Sequence, residues 1–173
     1  MFPFTIGPFL EAMMLAAMTE YLNGYVDKDI KDICDTGFDA ANHNHCAHFV
    51  SHAMDIKTGL VCGSMAYATR GQGTSIRVNE IYNSCSERGL WSAKPHGKKM
   101  GLAYVTLPGN VDRSGDMGSN PKKHIGVFVN DTIWHYSNGQ DKVVTHSPTD
   151  WHTRFRGVYG SSTQMYYSNF PGD

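Results

Sequence analysis

HIGVFVNDTIWHYS, residues 124–137, decides the fold. Two apolar runs, HIGVFV (124–129) and TIWHYS (132–137), flank Asn130-Asp131, a residue pair suited to a tight turn, so the stretch reads as a β-hairpin. With a two-residue turn, Gly126 opposes His135 and Phe128 opposes Ile133. Cross-strand partners share a face, and diagonal neighbours remain within reach of long side chains. His124 and His135 therefore project together, close enough for imidazole-to-imidazole hydrogen bonding, and Gly126 leaves room for both rings. A slip of one residue would send His135 to the opposite face. Asn138 or Asp141 would then be the nearest polar partner of His124.

Outward from the hairpin, LAYVTL (102–107) precedes it as a strand, and KVVTH (142–146) and RGVYG (156–160) follow as further strands. Upstream the period changes to helical. One helix covers about 9–23 and stops at Gly24, with Phe9, Leu10, Met13, Met14 and Ala17 spaced to pack on the core. A short helical stretch runs through 27–35, another helix covers about 45–56, and a third runs from a Ser75 cap to about Arg88. Its stripe of Val78, Ile81, Tyr82 and Cys85 makes Cys85 a small buried hydrophobe. Helices first, then an antiparallel meander, give an α+β fold, and 173 residues without a repeat or linker suit a single domain over 1–173.

Composition narrows the function. Hydrophobic residues at 40% and aromatics at 12% are enough for a core. Fifteen Lys+Arg against sixteen Asp+Glu leave a net charge of −1, which removes the basic footprint of a nucleic-acid binder. No apolar run reaches the ~18–20 residues of a membrane span. The apolar N-terminus lacks a basic start and is interrupted by Glu11, so it reads as a helix rather than a secretory leader. Work outside the cytoplasm would then need a non-classical route, or delivery into the periplasm of a target cell.

Of Cys34, Cys46, Cys62 and Cys85, none forms a C-x-x-C pair. Cys46 stands apart because Asn44 is a good cap for a helix beginning there. The first helical turn favours a thiolate, as a nucleophile requires. At about 100° per residue, Cys46 shares the inward face with Phe49, Val50 and Ala53, while His48 and His52 fall on the far side, read as a solvated face. His48 and His52 have the i, i+4 spacing of zinc ligands, but Cys46 points elsewhere and there is no H-E-x-x-H glutamate. Neither a metal nor a cofactor is expected. A base for Cys46 is available in His124, oriented by His135. His43, His96, His146 and His152 read as surface residues.

Cys46 within N-H-C-A-H-F-V, followed by H-I-G-V-F-V and I-W-H-Y-S, resembles the NlpC-type and CHAP-type cell-wall peptidases and amidases, whose fold is minimally papain-like. Cys46, His124 and His135 stand at the positions of that group's nucleophile, base and third polar residue. His45-Cys46-Ala47-His48 replaces the group's usual Asp-Cys-Ser-Gly. The resemblance implies hydrolysis of amide bonds in peptidoglycan stem peptides through a thioester. Helix-start N–H groups, including that of Cys46, would hold the oxyanion, with Asn42 or Asn44 as a side-chain donor. Loops 68–75 and 108–121 are candidate groove walls. A compact chain of this kind also resembles interbacterial amidase effectors, whose partners are an immunity protein and the type VI secretion machinery. N-H-C-A-H-F-V is similar, too, to the lecithin:retinol acyltransferase group, although there the histidine strand precedes the cysteine helix. A non-enzymatic metal-binding module built on the histidines is the third reading.

Overall fold

A computed structural model describes residues 7–65 and 73–173. Its frame is an antiparallel sheet of six strands. β1 is Arg88–Leu90, β2 Met100–Thr106, β3 Lys123–Val129, β4 Thr132–Ser137, β5 Lys142–His146 and β6 Gln164–Ser168, in the order β1-β6-β2-β3-β4-β5. β2 to β5 form the meander, and β6 returns to pair with the free side of β2. At the hairpin, Asn130 takes a left-handed conformation (φ 50°), and Val127 pairs with Trp134 and Phe128 with Ile133. This is the register that a two-residue turn dictates.

Helices cover both faces of the sheet, making the fold α+β. α2 (Cys46–Met54) and α3 (Val78–Ser84) cover the face of Leu102, Tyr104, Ile125, Val127, Trp134 and Tyr136. α4 (Pro148–Tyr159) covers the face of Ala103, Val105, Phe128 and Ile133, using Trp151 and Phe155.

The expected strand at 156–160 falls within and just beyond α4, and the last strand lies at 164–168 instead. RGVYG is short and apolar enough to mimic a strand, but Trp151, Phe155 and Tyr159 repeat every four residues. Ser147 caps the helix by accepting the Asp150 N–H, and Pro148 occupies the first turn.

The first helix, α1 (Pro8–Asn23), has the expected span but not the expected contacts. It meets the core through Leu22, with Leu15 and Met18 partly covered, while Phe9, Leu10, Met13 and Met14 stay exposed, Phe9 at 78%. The 27–35 stretch condenses to one 3₁₀ turn at Ile30–Asp32. Ser75 caps no helix: it bridges to Val61, and its hydroxyl donates to the Thr58 carbonyl. Cys85 is buried beside Val78, Ile81 and Tyr82.

Candidate functional site

His124 and His135 are both buried, and the His124 Nε2 lies 3.0 Å from the His135 Nδ1. The row continues, with the His135 Nε2 2.9 Å from the His146 Nδ1. His146, expected at the surface, is half-buried and third in a line of imidazoles. The diagonal-neighbour rule that joins 124 to 135 would also have found it, because β4 and β5 pair Ile133 with His146. Trp151 and Phe155 of α4 pack on the first two rings. Burial drives the His124 imidazole down to about 3, aided by the charge of Arg154. Burial also pulls His135 well below its ordinary value, and neighbouring His124 and His146 add to this.

Gly126 makes room for this pair. A Cβ there would lie 2.6 Å from the Ile133 Cγ2, 2.8 Å from the Trp134 carbonyl oxygen and 3.2 Å from the His135 Cβ. The alternative partners of His124 are engaged elsewhere. Asn138 accepts the His45 N–H and donates to the Asn44 Oδ1, bracing the start of α2, and Asp141 accepts from the Tyr136 hydroxyl.

Cys46 opens α2 and is 1% exposed. It packs on the opposite face of the sheet from the imidazoles, because alternation along β3 turns Ile125 towards α2 and His124 towards α4. The Cys46 sulfur lies near the β3 backbone at Ile125, whose N–H acts on the thiolate form. The β3–β4 ladder runs only from Val127–Trp134 to Val129–Thr132, so Ile125 lies outside it. Among the described residues no hydrogen bond joins Cys46 to His124. The structure thus brings His124 and His135 together, and sets Cys46 beside the peptide that precedes Ile125.

A first-turn position was expected to favour the thiolate, but burial outweighs the helix field and pushes the Cys46 thiol up to about 11. Cysteine and histidine are both neutral at rest, not an ion pair. The Cys46 N–H, expected to be free for an oxyanion, donates to the Asn44 Oδ1 at 3.0 Å. An open groove of about 450 Å³ runs past Cys46, with Asn44, Arg77, Asn79, Ser119 and Lys123 in its walls. Ser119 belongs to the 108–121 loop expected there. Of the 68–75 loop, residues 68–72 lie outside the described residues.

His48 and His52 do not form a solvated face. His48 is fully buried and His52 partly covered, and both lie within a cluster with Cys34 and Cys62. Phe38 packs against the His48 ring. His43 is half-covered and stacks on Phe38, His152 meets the Thr163 carbonyl, and His96 is exposed as expected. No described helix is long and apolar enough to cross a membrane.

Searches of family models, curated proteins and solved structures find no match to this chain.

Proposed function

We propose that the chain is a cysteine amidase that cleaves amide bonds of peptidoglycan stem peptides. The observation that carries this reading is the 3.0 Å contact between the His124 Nε2 and the His135 Nδ1. It occupies the Nε2 of His124, and Nδ1 is the base in this reading. The sulfur of Cys46 lies across β3 from that pair, at the wall of a groove open to substrate.

β3 stands between the two groups in this structure. Catalysis therefore requires α2 or the start of β3 to shift until the Cys46 thiol meets His124, which then accepts its proton as the sulfur attacks the amide carbonyl. Because both groups rest neutral, proton transfer accompanies attack rather than preceding it. The His124 imidazolium then protonates the leaving amine. Water, deprotonated by the same nitrogen, hydrolyses the thioester. His135 fixes the orientation and tautomer of His124. Lys123 and Arg77 give the groove a positive character suited to the carboxylates of stem peptides.

The test is digestion of purified peptidoglycan with wild type and Cys46→Ala, with fragments identified by mass. Wild type is expected to release peptides bearing new amino termini, and Cys46→Ala none. Equal release by both proteins would overturn the assignment.

A further inference from the structure

We propose that Cys34, His48, His52 and Cys62 bind one zinc ion in a closed, structural site on the side of α2 away from Cys46. The inference is independent of the amidase reading. One ligand atom from each residue lies within 4.8 Å of all the others. The Cys34 and Cys62 sulfurs are 3.8 Å apart, and the Cys62 sulfur is 3.8 Å from the His52 Nε2. Zinc–sulfur bonds of about 2.3 Å and zinc–nitrogen bonds of about 2.0 Å set tetrahedral edges of about 3.8 Å between sulfurs and about 3.5 Å between sulfur and nitrogen. A disulfide needs the sulfurs at about 2.05 Å.

Hydrogen bonding around the cluster fixes which atoms face inward. The His45 Nε2 is 3.0 Å from the Ala40 carbonyl, which can only accept, so Nε2 carries the His45 proton. The His45 Nδ1 is therefore an acceptor, and the His48 Nδ1, 3.1 Å away, is its donor. That leaves the His48 Nε2 as a bare lone pair. It is buried and has no hydrogen-bond partner, in a residue of 0% exposure. An unpaired buried acceptor is unfavourable unless something electrophilic meets it. A histidine whose second nitrogen is anchored through another group to the backbone is the usual support for a metal ligand.

Both sulfurs are prepared in the same way. The Cys34 sulfur receives the Thr36 N–H and contacts its hydroxyl at 3.1 Å, and the Cys62 sulfur receives the Thr74 N–H. These contacts suit thiolates. At Gly73 a Cβ would come within 2.3 Å of the Cys62 sulfur, so glycine is needed beside it. Binding Zn²⁺ displaces two thiol protons and leaves the site without net charge. Two sulfurs and two imidazoles in tetrahedral reach select zinc over hard cations. Four protein ligands leave no open position, which makes the site structural.

Zinc content of the purified full-length chain tests this. We expect about one zinc per chain in wild type, Cys46→Ala and Cys85→Ser, and less than about a tenth of that in Cys34→Ser and Cys62→Ser. Because those two variants can lose zinc by misfolding, His52→Ala is compared with His52→Cys, which restores four donors and should restore the metal. Cobalt(II) added to metal-free wild type should give thiolate charge-transfer absorption and the intense visible bands of tetrahedral coordination. A zinc-free wild type without that cobalt spectrum, or a Cys34–Cys62 disulfide found by peptide mapping, would overturn the site.

Discussion

Gly126→Ala pits two effects of opposite sign against each other. At an unstrained position, alanine in place of glycine stabilises a protein by about 0.4–1 kcal/mol, because the unfolded chain loses freedom. Gly126 is not among the positive-φ glycines, so alanine can adopt its backbone. The new methyl, however, would lie 2.6 Å from the Ile133 Cγ2 and 2.8 Å from the Trp134 carbonyl oxygen. Contacts that short force β4 away from β3, and overpacking of a dense core costs about 1–3 kcal/mol. The net expectation is a loss of about 1–2 kcal/mol, or about 2–8 °C in Tm for a chain of this size. The displacement also moves His135 from its 3.0 Å contact with His124, so amidase activity should fall more than stability alone explains. Urea unfolding followed by tryptophan fluorescence reads the first effect, and fragment release from peptidoglycan reads the second. Ile133→Ala removes one clash but not the backbone carbonyl. Gly126→Ala should therefore remain destabilising in that background, though by less. A midpoint equal to or above that of wild type would refute the argument that the hairpin needs glycine here.

Three further outcomes are expected. His135→Ala should lower hydrolysis of peptidoglycan while the chain stays folded, and by less than Cys46→Ala, since an orienting group acts only through its partner; unchanged rates would remove it from the site. Trp151→Ala, which strips a fully buried ring from against both imidazoles, should destabilise the protein by about 3–5 kcal/mol in denaturant titration. Stability should also depend on acid. His124 and His135 are held neutral in the fold, while in the unfolded chain they take up protons near pH 6.5, so their contribution is complete above about pH 6.5 and lost as pH falls below it, for His124 down to about 3. Each imidazole adds a slope of about 1.4 kcal/mol per pH unit in that window, and a flat profile of urea midpoints between pH 7.5 and 5.5 would contradict their burial.

What the sequence disclosed follows from how local each rule is. The hairpin register was legible because Asn130-Asp131 fixes it within two residues, and from it came the contact of His124 with His135. The helical wheel gave the directions of Cys46, His48 and His52 correctly, because direction is a property of one helix. It could not say what lies on each side. The far side of α2 is covered by segments carrying Cys34 and Cys62, which are distant in sequence and match no metal-binding spacing. Nor could it say which face of the sheet α2 would cover, and that separates Cys46 from the His124 ring. RGVYG failed for a different reason: over five residues, a helix with one apolar face and a strand look alike, and only Trp151 upstream breaks the tie.

The three imidazoles in line have a direction. A neutral imidazole carries one N–H, so only two arrangements are possible, with every proton pointing inward or every proton pointing outward. Only the outward order leaves a lone pair on the His124 Nδ1. The outermost ring, His146, is half-exposed, so water or a solute meeting it biases the order of all three. Reversing the order passes one proton along the row, one hop per ring, so a proton released or received at the His146 end is matched by one taken up or given at the His124 Nδ1.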